Sequence, residues 1–343
     1  MLERIAHPSC RDPAGERKLK LKRVFIDRAI TEAIFQDIDK ARSNCALHAE
    51  PTSTLIIGDT GVGKTTLLEH YRDAHPPKRV NGIIQRPVLM VELEVKANML
   101  SASAEMLRAL GDPGAERGTL YNRSYRVRVQ LKLQRVEVIL IDEFHHIVEA
   151  SGERTLNKVG DWLKQQSKRT GIPLVLAGLP HSASVLEINH QFAGICPYRH
   201  NLDPFEWKDP NRRREFRLFL ARLDAALPFN EWAGLGEIDL SRRLFLASSQ
   251  GEYGNLRQLM RLLRSAGARA IDRDAPCIEL QDLEAAFSAE IAPTSPLTYN
   301  PFGCTPPEES SSSVSGSHSR AKTPSVVKAR KASARISDVL VAR

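Results

Sequence analysis

The chain has 343 residues with 42% hydrophobic content, enough for one large or two modest cores, and no apolar run near the roughly 20 residues of a membrane span. Five scattered cysteines without a C-x-x-C pair argue against a disulfide framework or a zinc site, and Met1-Leu2-Glu3-Arg4-Ile5 lacks the apolar core of a secretory leader, which fits a reducing cytoplasm. The net charge of +8 sits at the ends: residues 1–23 and 308–343 each carry seven Lys/Arg against three Asp/Glu, arms that suit a polyanion or an acidic partner, or that serve as solvated tails.

Residues 1–23 contain Pro8, Pro13, Gly15 and the run Arg17-Lys18-Leu19-Lys20-Leu21-Lys22-Arg23, which read as an extended basic arm. From Val24 to about Ala46, Phe25, Ile26, Ala29, Ile30, Ala33, Ile34 and Ile38 recur at helical spacing and predict a helix before the first core strand.

That strand is Thr54-Leu55-Ile56-Ile57, and it runs into Gly58-Asp59-Thr60-Gly61-Val62-Gly63-Lys64-Thr65 and the helical Thr66-Leu67-Leu68-Glu69-His70-Tyr71. Strand, glycine-rich loop and helix are the context that a G-x-x-x-x-G-K-[ST] match requires. Glycines let successive backbone N–H groups turn inward around a phosphate, and the helix N-terminus adds a positive dipole end. Residues 58–66 are therefore the expected cradle for ATP, with Lys64 on the β/γ-phosphates and Thr65 on Mg²⁺. The helix ahead of this strand is placed to cover the base.

A Pro-rich turn, Pro76-Pro77-Lys78-Arg79, precedes a second strand over 88–95, and Met99 to Leu110 reads as a helix. From Arg117 to Arg135 the chain carries Arg117, Arg123, Arg126, Arg128, Lys132 and Arg135 with no acidic residue, with Tyr121 and Tyr125 interleaved and Val127, Leu131 and Leu133 as an inward face. One-sign charge on an amphipathic helix points to phosphate contact, against the alternative of a solvated face. The apolar strand 136–143 ends in Asp142-Glu143. Asp142, read as lying on the strand beside the P-loop strand, is placed to hold Mg²⁺, and Glu143 to orient or deprotonate the attacking water.

A helix over about 155–169, a buried strand at 172–178, a helical stretch at 181–194 and a short strand at 198–205 complete a doubly wound, five-stranded parallel sheet, with ligands expected at its carboxyl edge. Residues 209–290 lose the buried strands and read as four helices. From Pro293 onward, Ser310–Ser313 and repeated Ser/Lys/Arg predict disorder, with Arg335 to Ala342 regaining apolar content, either as a docking peptide on a flexible tether or by chance. The expected division is a basic arm at 1–23, an α/β nucleotide-binding domain at 24–207, a helical lid at 208–292 and a disordered tail at 293–343.

The P-loop, the Asp142-Glu143 strand and a lid carrying Gly254-Asn255-Leu256-Arg257 together resemble an AAA+ ATPase. The wording of Leu55 to Thr65, Ile141-Asp142-Glu143-Phe144-His145-His146, Leu176-Ala177-Gly178-Leu179-Pro180, Leu220-Ala221-Arg222-Leu223-Asp224, Leu227-Pro228-Phe229 and Gly254 to Leu259 resembles the TniB/TnsC transposition regulators over about residues 24–290. The resemblance implies a nucleoid-associated bacterial matchmaker. Such a protein assembles with ATP into rings or filaments on duplex DNA without regard to sequence, receives a signal from a TniQ-type protein or guide complex, and activates transposase subunits. It places DNA contacts at Lys96 and at Arg117-Gly118-Thr119, with Arg123 and Arg126 continuing that basic stretch. It also implies a γ-phosphate sensor at Arg257 and a neighbour-facing finger at Arg199, with Arg212–Arg214 as alternatives. After Ala177 the sequence has Gly178-Leu179-Pro180-His181, with no Asn or Thr as first sensor, which implies slow hydrolysis.

Two other readings share the motifs. Asp142-Glu143-Phe144-His145 fits a D-E-x-H helicase box, although the segment after residue 208 is too small for a second RecA-like domain. An AAA+ ATPase acting on protein partners in secretion or signalling has the same architecture. His145 and His146 are adjacent, so they are expected to face apart and to start a helix rather than bind a metal.

Overall fold

A computed structural model describes residues 13–47 and 50–303; the N-terminal dozen residues, the Ser/Lys/Arg tail and its terminal apolar segment lie outside the described residues. In chain order the helices are α1 (Pro13–Arg23), α2 (Ala29–Ala46), α3 (Lys64–Asp73), α4 (Met99–Ala109), α5 (Leu120–Leu133), α6 (His145–Glu149), α7 (Glu153–Thr170), α8 (Ser184–Ile188), α9 (His190–Ala193), α10 (Pro210–Ala226), α11 (Ile238–Ser248), α12 (Leu256–Asp272) and α13 (Leu280–Ala286). The strands are β1 (Thr54–Ile57), β2 (Lys78–Val80), β3 (Ile83–Gln85), β4 (Val88–Glu92), β5 (Val138–Asp142), β6 (Leu174–Gly178), β7 (Tyr198–Asn201), β8 (Phe205–Glu206), β9 (Ser249–Gln250) and β10 (Tyr253–Gly254).

Five strands form a parallel sheet in the order β4-β5-β6-β1-β7. Successive side chains of a strand point to opposite faces, so each short apolar run fills two cores. Leu55, Leu89, Ile139, Ile141, Leu174 and Leu176 pack under α4, α5 and α7, while Ile56, Val138, Leu140 and Val175 pack under α2 and α3. Burial on both faces is why these runs are continuously apolar. The Asp142 strand is not beside the P-loop strand, as the sequence reading had it: β6 lies between them. Both neighbours bond to the end of β6, since Gly58 N–H donates to Gly178 O (3.2 Å) and Phe144 N–H to Ala177 O (2.8 Å).

A third core joins α10–α13 with α1. The expected extended arm is therefore corrected over 13–23: Leu21 is buried and lies against Gly267 of α12, where a Cβ would come within 2.8 Å of Leu21 Cδ2. Arg17 donates to Pro228 O (3.0 Å), and Lys18 meets Asp272 (2.5 Å). The apolar surface that orders this helix comes from about 250 residues downstream, outside any sequence window. The onset of the tail is corrected in the same way. Phe302 is buried, edge-on to Phe287, and Asn300 donates to Glu284 O (2.9 Å), so 293–303 are packed rather than disordered.

Two small sheets went unread. Asn81 and Gly82 both have positive φ (50° and 81°) and close the β2–β3 hairpin, the Asn-Gly turn that matches strand twist. β8, β10 and β9 form a three-stranded sheet of two-residue strands, too short for any periodicity, and it delivers the chain into α12.

Candidate nucleotide-binding and hydrolysis site

β1 hands the chain to a loop that only glycine can follow. Gly61 and Gly63 have φ of +85° and +102°, the left-handed region that side chains resist. A Cβ at Gly58 would lie 2.7 Å from Leu202 O. Lys64 is 8% exposed, and its ammonium donates to Gly58 O (2.7 Å) and Asp59 O (2.9 Å). Burial pushes its pKa down, the carboxylates of Glu143, Asp142 and Asp59 oppose that shift, and the positive charge of Arg257 adds to it.

Asp142 ends β5 at 1% exposure. Its Oδ1 accepts from Glu143 N–H (2.8 Å), the Thr65 side chain lies beside the same carboxylate, and Oδ2 is buried without a partner. Burial pushes its pKa up, against the Thr65 hydroxyl and the Glu143 N–H, which favour the ionised form. An orphaned buried carboxylate oxygen beside a threonine hydroxyl is a donor set that fits Mg²⁺, a hard cation that keeps most of its waters. Glu143 turns into the left-handed region at φ 52°, which brings its half-buried carboxylate into the pocket lined by Thr60 to Leu67. Strain of this kind costs about 1–3 kcal/mol and collects at functional sites.

The apolar end of the pocket is made by Val24, Phe25 and Ile26, with Phe219, Leu223 and Met260 across from them. This apolar wall comes from the segment leading into α2, which starts only at Ala29 and adds Thr31 to the lining; Phe25 is held there by stacking on His70 at 3.9 Å. The other wall is α12. Asn255 caps it by accepting from Gln258 N–H (3.1 Å), and Arg257 N–H donates to Gly61 O (3.0 Å), so the helix start docks on the P-loop. Arg257 is exposed at the pocket wall. Sequence reasoning missed Arg264, which lines the same pocket with its Nε buried and unpartnered; its spacing of seven from Arg257, two helical turns, was the available signal. It also missed Arg28, which lines the pocket and pairs with Glu215 (2.8 Å) over the Phe205 ring.

The residues expected on DNA separate into two groups. Lys96, Arg117 and Thr119 are exposed on the loops before α4 and α5. Arg123 is a correction: at 8% exposure its guanidinium donates to Leu100 O (3.1 Å), Gly118 O (3.1 Å) and Glu116 O, so it ties the loop before α5 to the first turn of α4 instead of facing outward. Arg126 is also engaged within the chain, by Asp112 (3.0 Å) and by Gly114 O and Arg117 O. A buried cation keeps its place when carbonyls satisfy its donors, and an arginine run in the sequence cannot show which members do this.

A family model described as "TniB: Bacterial TniB protein" matches residues 22–194, half of the chain. The chain belongs to the TniB family. No curated protein matched it. Among solved structures, this TniB chain is similar to the Aeropyrum pernix ORC2 protein in ADPNP–ADP complexes, at 15% identity over 78% of this chain and 68% of that one, with a TM-score of 0.54. It is similar to Cdc6p from Pyrobaculum aerophilum at 18% identity over 80% and 71%, with a TM-score of 0.52. It also resembles the Aeropyrum pernix ORC1 protein in complex with DNA at 15% identity over 79% and 69%, with a TM-score of 0.53. These likenesses show the AAA+ fold. No helix among the described residues is long and apolar enough to cross a membrane.

The family match ends before β7, so the candidate fingers of this TniB protein lie beyond it. Arg199 is exposed on the edge strand β7 and is not among the residues lining the chain's own pocket. Arg212 is engaged by Asp203 (2.7 Å) and Glu215, Arg213 lies over Trp207, and Arg214 is exposed. The expectation that His145 and His146 face apart is corrected: their rings are 4.1 Å apart, and both stand beside Glu143. Burial, with His146 second, pushes the pKa of His145 down. Gly61 packs against Asn255 at the start of α12. In Gly61→Ala the new Cβ would lie 2.5 Å from Asn255 Oδ1, and the left-handed φ costs about 1–2 kcal/mol. Nucleotide affinity is expected to fall about tenfold in a fluorescent-nucleotide titration; an unchanged Kd would show that the loop and the start of α12 do not bind as one unit.

Proposed function

We propose that this protein is an ATP-dependent regulator of transposition that assembles as a ring or filament on duplex DNA, links a TniQ-type targeting module to transposase subunits, and is reset by ATP hydrolysis. Residues 24–207 serve as its nucleotide-binding body and 208–292 as its lid. The observation that carries the reading is the meeting of Lys64, Thr65, Glu143 and Arg257 in one pocket, because a lid arginine beside the P-loop couples nucleotide state to the position of the lid.

In this mechanism Lys64 exchanges the carbonyls of Gly58 and Asp59 for β/γ-phosphate oxygens, and the loop N–H groups take the remaining charge. Thr65 and Asp142 would hold Mg²⁺, whose charge neutralises the phosphates when bound. Glu143 orients the attacking water and accepts its proton. Arg257 reads the γ-phosphate from its own subunit, and Arg199 reaches the site of a neighbour. Lys96, Arg117 and Thr119 contact the phosphate backbone, while Arg123 and Arg126 hold their loops in place. Phosphate contacts position a protein without reading sequence, as suits a factor that assembles wherever its targeting module sends it.

The test is binding to random-sequence duplex DNA with a non-hydrolysable ATP analogue. We expect salt-sensitive, nucleotide-dependent binding, with Lys96→Ala and Arg117→Ala each reducing the slope of log K against log salt by about 1. Binding that needs no nucleotide, or no binding at all, would sink the assignment and favour an ATPase that acts on protein partners.

A further inference from the structure

We propose that Glu143, His145 and His146 form a binding site for a borderline transition-metal ion such as Zn²⁺, and that filling it withdraws Glu143 from hydrolysis. The inhibitory half rests on the ATPase reading above; the binding half does not.

One donor atom from each of the three residues lies within 4.8 Å of the other two. Zinc bonds of about 2.0–2.2 Å to nitrogen and oxygen place donors around one ion roughly 3–4 Å apart, a closure that side-chain rotation supplies. The cause of the convergence is local. The left-handed φ of Glu143 folds its carboxylate back over the start of α6, so that Oε2 comes 3.1 Å from His145 Nδ1. Despite that proximity, Nδ1 of His145 and Nδ1 of His146 are both buried and without a hydrogen-bond partner. Unsatisfied buried polar atoms are costly, and an ion accepting two imidazole lone pairs and a carboxylate would satisfy them. Two histidines and one glutamate are a donor set that holds zinc with a fourth position open.

Further donors surround the three. Glu149 Oε2 is 3.7 Å from His146 Nδ1, and Glu149 Oε1 is 3.0 Å from His181 Nε2. The His181 ring stands edge-on to His145 at 5.9 Å. Imidazole donors favour zinc, cobalt or nickel over magnesium, whereas Thr65 and Asp142 offer only oxygen. The two sites therefore select different ions, and Glu143 is the residue that faces both: it lines the nucleotide pocket and touches His145.

Titration of the tag-free, nucleotide-free full chain with Co²⁺, followed by visible d–d absorption and by displacement with Zn²⁺, tests the binding. The expected result is a saturable band at one equivalent that His146→Ala weakens and His145→Ala/His146→Ala abolishes, while thermal melts show both variants folded. No band in the parent chain, or a band that survives in the folded double variant, overturns the site. In the second arm, Zn²⁺ added to Mg²⁺-ATP reactions is expected to suppress most of the hydrolysis by the parent chain and to leave the double variant unaffected. Binding without inhibition overturns the regulatory half. A parent chain that binds Co²⁺ but never hydrolyses ATP overturns the ATPase reading and leaves the metal site standing.

Discussion

Glu143→Gln is expected to leave nucleotide binding within about twofold of the parent chain while lowering hydrolysis about 10²–10⁴-fold, the range attributed to a positioned general base. The amide matches the carboxylate in shape and can follow the same backbone at φ 52°. It cannot accept a proton from water, and it removes one negative charge from beside Lys64, where Glu143 is the leading charge opposing the burial shift. Asp142 and Thr65 are untouched, so the groups proposed for Mg²⁺ keep their contact. Phosphate release and fluorescent-nucleotide titration check the two halves separately. On DNA the variant is expected to form ATP-dependent complexes that persist, because in the proposed function assembly needs binding and reset needs turnover. Hydrolysis at the parent rate would remove Glu143 from the mechanism.

The second large effect concerns stability. Leu21→Ala is expected to destabilise the fold by about 2–5 kcal/mol, the cost of truncating a well-packed leucine. Leu21 is 2% exposed and sits on Gly267, a position where α12 carries no side chain that could close over the void. Lys18→Ala, which removes only the exposed pair with Asp272, is expected to cost about 0–1 kcal/mol. Chemical denaturation with both variants separates the readings. If α1 were an arm held by charge, Lys18→Ala would be the more damaging of the two, and a Leu21→Ala effect below about 0.5 kcal/mol would return α1 to that status.

How far the sequence could be read depended on the range of the forces involved. The continuous apolar runs of β1, β4, β5 and β6 announced buried parallel strands because both faces of each strand must be covered. Asn81-Gly82 stated a hairpin in local terms and was overlooked, since its strands are three residues each and leave Val80, Ile83 and Ile84 exposed. β8, β9 and β10, at two residues each, had no pattern to read. The arginines show the limit most plainly. Arg117 and Arg123 are six residues apart in one basic run, yet Arg117 is exposed and Arg123 is buried among carbonyls of α4 and of the loop before α5.

The P-loop and its chemistry were legible from local residues alone. Glycine at 58, 61 and 63 is required by backbone φ or by close backbone approach, and both belong to the loop and its immediate supports. The Asp142-Glu143 pair was likewise visible as carboxylates ending an apolar strand. What those groups face was set by packing between segments far apart in the chain. It put β6 between the two functional strands, brought Arg257 and Arg264 over the nucleotide pocket, buried Leu21 against Gly267, and turned Glu143 back toward His145 and His146. Those outcomes depend on pairings between segments distant in the chain, or on one left-handed residue, and no periodicity records either.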